Sequence, residues 1–299
     1  VKALDIYKRI VNITPGDSNT REALLALSRI YTDLERPVDA LDMLERAREL
    51  SPGDTAVEAS RAATLARSGR IDEAVQLYRQ LLTAKLERED EQRLRLELGR
   101  LYRSHGGYDL AIAQFQLNLA RAKEDPPRAD LVSEMELART YVRLSRPELA
   151  RKHYEAVLAS PAVSAAMRQE AHLELAQALT TSPDRNDQDE ARRHASQATR
   201  MAPDSARARL VQGRVLLSSD SVVDREKAIE ILRALSHTDL SPALASQVQD
   251  SLGQAYYKNG EYERALKAFD QAVALDGSNQ SAYRNQRLAA SAYEESLKR

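Results

Sequence analysis

ASQVQDSLGQAYYKNGEYERALKAFDQAVALDGSN, residues 245–279, decides the fold. It reads as two short amphipathic helices joined by a tight turn. Leu252, Gly253 and Tyr256 fall on one face of the first helix, Gly260 marks the turn, and Ala265, Phe269 and Ala272 fall on one face of the second. Apolar and small residues at i, i+3/i+4 and i+7 give each helix one stripe to bury. Gly253 and Ala265 are small because two helices approach closely only where neither carries a bulky side chain. A pair of helices this short cannot bury its own stripes, so neighbours of the same kind are required.

The spacing of these positions resembles the tetratricopeptide repeat, a helix–turn–helix unit of about 34 residues. Two positions depart from the family pattern: Gln249 stands where an aromatic is common and Gly277 where proline is common. The same pattern recurs along the chain. Residues 1–17 match a second helix alone, through Ala3, Tyr7, Ile10 and Pro15, and this reads as the start of a fragment of a longer protein. Complete units follow at 21–54, 55–88, 92–125, 131–164, 169–205, 206–242 and 246–279, and residues 280–297 form a polar capping helix with Tyr283, Leu288, Ala289 and Tyr293 on its packing side. Asp125-Pro126-Pro127 ends the second helix of the third unit. The fifth and sixth units have longer, Ser- and Asp-rich turns at 180–190 and 218–226, with about three extra residues each. No linker divides the chain, so 1–299 reads as a single all-α solenoid.

Composition agrees with a helical body. Of 299 residues 42% are hydrophobic and 30% charged, with 10 Gly, 10 Pro, no Trp and no Cys. A formal net charge of −1 gives no general attraction to nucleic acid or to an anionic membrane. No apolar run is long enough for membrane insertion by this segment. The lack of cysteine excludes disulfides, thiol catalysis and thiolate zinc sites.

The family resemblance implies a right-handed superhelix whose first helices line a concave groove that takes extended or helical peptides. Groove-facing positions can then be assigned. One row runs Arg29, Ala63, Arg100, Arg139, Gln177, Arg214, Gln254; the row four residues on includes Arg67 and Arg143, with Arg103 adjacent. The row four residues before includes Leu96, Met135, Leu173 and Leu210. The expectation is an arginine ladder, Arg67, Arg100, Arg103, Arg139, Arg143 and Arg214, beside an apolar floor. Arginine's planar fork pairs with carboxylates at two points. A partner protein with an acidic, partly apolar segment fits such a groove, as does an anionic polymer. The competing reading is that these arginines pair with Glu97, Glu136 and Glu174 of the same helices. Members that grip a C-terminal carboxylate use Lys and Asn at set positions, which here hold mostly Arg, Leu and Glu, so that activity is not expected.

No catalytic or cofactor-binding constellation accompanies the repeats. His105, His153, His172, His194 and His237 show no zinc-ligand spacing, and His153 and His194, at equivalent second-helix positions, read as solvated. There is no phosphate-binding glycine loop and no G-x-S-x-G motif. The reading is a non-catalytic binding scaffold without cofactor or metal. Its arginine-rich, cysteine-free style is similar to repeat segments of bacterial envelope proteins that support exopolysaccharide export or outer-membrane assembly; the lack of cysteine fits periplasm and cytoplasm alike, and the envelope likeness favours the periplasm. The alternative is a regulatory or substrate-recruiting arm of an enzyme whose catalytic domain lies outside these residues.

Overall fold

A computed structural model describes residues 2–13, 18–123, 130–182 and 184–297. Among the described residues there are sixteen α-helices and no strand. Pro15, Pro183 and the Asp125-Pro126-Pro127 stop lie outside the described residues. Packing divides the chain into two compact units, 1–140 and 141–299. The division falls inside α8 (Leu131–Arg143).

The first unit holds α1 (Lys2–Ile13), α2 (Ser18–Asp33), α3 (Pro37–Leu50), α4 (Thr55–Arg67), α5 (Ile71–Leu81), α6 (Arg88–Ser104), α7 (Tyr108–Lys123) and most of α8. The second holds α9 (Pro147–Ala159), α10 (Ala165–Leu179), α11 (Arg185–Met201), α12 (Ala206–Leu217), α13 (Val222–Ser236), α14 (Pro242–Lys258), α15 (Tyr262–Leu275) and α16 (Gln280–Leu297). Local sequence sets the helix starts. Asp54 accepts from the amides of Ala56 and Val57 at 2.8 and 3.2 Å, and Ser164, Asp184, Ser205 and Ser221 cap α10 to α13 in the same way. Pro37, Pro147 and Pro242 open α3, α9 and α14, where a missing N–H costs nothing.

Small residues let the pairs close. Ala40, Ala62, Ala74, Ala111, Ala150, Ala191, Ala228 and Ala265 are all at 0% exposure. Gly253 on α14 faces Phe269 on α15 so tightly that an added Cβ would stand 2.5 Å from the ring, and Gly99 on α6 meets Phe115 on α7 at the same distance. At the equivalent place in α12, Gly213 faces Leu232, and an added Cβ would stand 3.0 Å away. The glycine is therefore the socket for whatever the next helix inserts.

Two expectations change. The long turns are shorter than the sequence implied, because the Asp184 and Ser221 caps start α11 at Arg185 and α13 at Val222, ahead of the buried Ala191 and Ala228. In the capping helix, Ala282 and Ala289 are the buried residues, while Tyr283 and Leu288 are 45% and 55% exposed. Only a small side chain fits where α16 lies against α14 and α15, so the large ones turn outward.

Candidate functional site

Within each unit the first helices of consecutive pairs touch one another: α2 with α4 and α4 with α6, then α10 with α12, α12 with α14 and α14 with α16. The expected groove residues lie on these helices and on α8.

In the first unit three arginines converge on one carboxylate. Glu136 of α8 has a side chain only 2% exposed. Arg100 of α6 donates Nε and Nη2 to Glu136 Oε1 at 3.0 and 2.9 Å, and its Nη1 reaches Glu97 at 3.1 Å. Arg103 pairs with Glu136 Oε2 and also donates to the Glu136 carbonyl at 3.3 Å. Arg139 donates to Glu136 Oε1 at 3.2 Å. Burial alone would push the Glu136 carboxyl up, but the Arg103 and Arg100 guanidiniums outweigh it and hold the group below the usual glutamate range. These arginines are thus committed in part to neutralising a buried charge. Arg67 reaches Asp33 at 3.3 Å, and both side chains are more than half exposed.

The second unit differs. Arg143 and Arg214 are exposed, and neither has an ion-pair partner among the described residues. Arg214 lines two adjoining cavities of about 370 and 440 Å3 between α12, α14 and α16. Gln254, Tyr257, Lys258, Asn285 and Leu288 line the first with it. The buried carboxylate of Asp250 is already satisfied, accepting from Ser281 at 2.9 Å, Asn285 at 2.8 Å and Gln254 at 3.2 Å. Lys258 Nζ donates to the Leu217 carbonyl at 2.6 Å.

The expected apolar floor is largely core. Met135, Leu173 and Leu210 are 2–3% exposed, and Leu96 is half-buried. Residues this deep offer almost no area to a ligand, because the same stripe closes the contact between neighbouring helices. Exposed apolar surface at the cavity comes instead from Tyr257 and Leu288, which the sequence reading did not assign to the groove. The signal for Tyr257 was present: it stands three residues after Gln254 and seven after Asp250, on one helix face. Among the described residues no three His, Asp, Glu or Cys side chains converge as metal ligands, and no helix is long and apolar enough to cross a membrane.

Comparison with known proteins gives the family. Tetratricopeptide repeat models match residues 60–127, 135–184, 184–243 and 247–279. No curated protein matches the chain. Among solved structures, the fold is similar to a tetratricopeptide repeat protein from Parabacteroides merdae ATCC 43184, at 15% identity and TM-score 0.65, over 91% of this chain and 100% of that one. It is similar to yeast Tom70 at 16% identity and TM-score 0.62, over 99% of this chain and 59% of that one. It also resembles a chain of the APC/C hetero-tetramer Cut9–Hcn1 at 14% identity and TM-score 0.60, over 96% of this chain and 52% of that one. The chain therefore spans all of the first of these relatives but little more than half of the other two. At such identities the likeness is one of fold. With matched repeat models over more than half its length and helix pairs throughout the described residues, this chain belongs to the tetratricopeptide repeat family.

Proposed function

We propose that the protein is a non-catalytic scaffold that holds an acidic, partly apolar segment of a partner protein against its first-helix surface. The observation that carries this reading is Arg214. It is an exposed guanidinium without an ion-pair partner among the described residues, on the wall of a cavity that also presents Tyr257 and Leu288. A carboxylate of the partner would take the fork while an aliphatic or aromatic neighbour covers the tyrosine and leucine. In the first unit the surface around Arg100 and Arg139, whose side chains are 39% and 33% exposed, supports the same preference more weakly, since Glu136 shares them. Arg143 extends the basic character in the second unit. An anionic polymer would use the same arginines without needing Tyr257 or Leu288. A bacterial envelope setting, with a role in exopolysaccharide export or assembly, is supported by composition alone.

The test is binding to an arrayed library of synthetic peptides. Arg143 and Arg214 are the residues to change, because removing Arg100 or Arg139 would also unbalance Glu136. The wild type should select peptides rich in Asp and Glu next to an aromatic or aliphatic residue. The Arg143→Ala/Arg214→Ala variant should lose that selection, and added salt should weaken it. Equal selection by both proteins would remove the first-helix arginines from the binding surface.

A further inference from the structure

A second basic site lies on α10 and α11, away from the cavities at Arg214. An open cavity of about 700 Å3 there is lined by His172, His194, Arg193, Arg200, Ser196 and Gln197, together with Glu190 and Arg192. The last two are occupied. Arg192 is held by Asp189 at 2.7 Å and by Asp224 at 3.3 Å. Glu190 lies 3.4 Å from His194 Nε2 and 3.8 Å from Arg151. Arg193 is exposed and has no ion-pair partner among the described residues, and Arg200 donates to the neutral Gln197 Oε1 at 2.7 Å. Residues 193, 196, 197 and 200 fall at i, i+3, i+4 and i+7, so one face of α11 presents two guanidiniums with a hydroxyl and an amide between them.

His194, which the sequence suggested to be solvated, is joined to His172. His172 Nδ1 lies 2.7 Å from His194 Nδ1, so one of these nitrogens donates and the other accepts. Glu190 beside His194 Nε2 keeps a proton on that nitrogen, which makes His194 Nδ1 the acceptor and His172 Nδ1 the donor. The basic nitrogen left over is His172 Nε2, and its protonation leaves the His–His bond intact. Burial, then His194, then Arg168 of α10 push His172 down to about 4. His194 is also lowered, by burial and by Arg193, against the opposing pull of Glu190 and of Glu155 from α9. On α12, Arg207 is taken up by Glu170 at 2.8 Å and by Glu174 at 3.9 Å. The cavity lining thus sets one carboxylate, Glu190, against three guanidiniums, Arg192, Arg193 and Arg200, and carries a net positive charge.

We propose that this cavity binds a doubly charged oxyanion, a free phosphate or a phosphorylated side chain of a partner, through Arg193 and Arg200 with Ser196 and Gln197, and binds it more tightly as the His172–His194 pair takes up a proton. A bound anion favours the imidazolium, so by linkage acid favours the bound anion. The inference stands apart from the scaffold reading, since none of its residues lines the cavities at Arg214.

Sulfate is the probe for the pH dependence, because it stays doubly charged across the range in which phosphate itself titrates. Calorimetric titration at pH 8 and pH 5 should show tighter binding at pH 5, with proton uptake revealed by buffers of different ionisation heat. Arg193→Ala/Arg200→Ala should bind about tenfold more weakly at both pH values. His172→Asn should lose the gain in acid, its affinity for sulfate changing less than about twofold between pH 8 and pH 5. Binding that the arginine variant leaves unchanged, or that does not tighten in acid, overturns the proposal. A phosphoserine peptide run beside inorganic phosphate at pH 8 separates the sources. Tighter binding of the peptide assigns the site to a modified partner, and equal binding assigns it to the free anion.

Discussion

Glu136 shows how one residue can unite two readings of a sequence. Arg100, Arg103 and Arg139 sit where groove residues of a repeat would sit, and they also surround a carboxylate at 2% exposure. The alternative that paired the arginines with glutamates of their own helices was legible from the first-helix spacing, as in Arg100 with Glu97 and Arg139 with Glu136, but the reach of Arg100 and Arg103 from α6 to Glu136 was not. That the acid would be buried was not, because burial here depends on how α6 meets α8 rather than on either helix alone. Changing Glu136 to Gln leaves three guanidiniums facing one another. Two of them can turn partly to water, so we expect a loss of about 2–3 kcal/mol in urea unfolding. Changing Glu97, whose side chain is 42% exposed, to Gln should cost under about 0.5 kcal/mol. The pH dependence has a definite sign. A carboxyl held low in the folded state stabilises above the ordinary glutamate range, and that stabilisation is lost as pH falls through the folded value. Acid unfolding of Glu136→Gln should therefore show a shallower limb below that range than the wild type.

Among elements, the intra-repeat turns carry the clearest common signature. In five of them an amide three residues past the helix end returns to a carbonyl five residues back: Arg36 to Tyr31, Arg70 to Leu65, Gly107 to Tyr102, Arg146 to Tyr141 and Glu261 to Tyr256, at 2.8–2.9 Å. The residue before each donor has positive φ. It is Gly69, Gly106 and Gly260 in three turns, but Glu35 and Ser145 in the other two, with φ of 56° and 55°. Side chains enter that region at a cost. Ser145→Gly should raise stability by up to about 1 kcal/mol, after allowing for the greater freedom of glycine in the unfolded chain. A thermal melt of that variant checks it. Gly260 marked its turn in the sequence, and Gly253 with Ala265 marked the close approach of α14 and α15, though not that Phe269 fills it. Glu35 and Ser145 carry no such mark. The start of α11 was hidden by a run of Ser, Pro and Asp that reads as loop until Asp184 is recognised as a cap.

At the scale of the molecule, each helix pair depends on its neighbours. Ala289 of α16 completes a cluster with Ala265 and Phe269 of α15, so deleting 280–297 uncovers the last pair. Amide exchange in α14 and α15 should then accelerate at least about tenfold, while α2 to α7 keep their protection, because contacts in such arrays pass only between neighbours. Uniform acceleration through both units would contradict that. The number and order of helices could be read from sequence because each pair repeats one packing solution. The surface that meets a partner could be read only in part. Arg214 was identified, but Met135, Leu173 and Leu210 turned inward, since an apolar residue on a first helix can serve the core or the ligand and its type does not say which.

Polar contacts between repeats in this chain recur at a nearly constant sequence separation. Arg67 meets Asp33 at 34 residues, Arg100 meets Glu136 at 36, Arg207 meets Glu170 at 37 and Asn279 meets Ser246 at 33. The spacing is common to the junctions, but the side chains that close them are not: each uses its own pair of residues. A duplication or loss of one whole repeat would therefore keep the helix spacing while changing which side chains meet, so a repeat of this chain is bound to its own neighbours by its polar contacts and to the array by its apolar stripe.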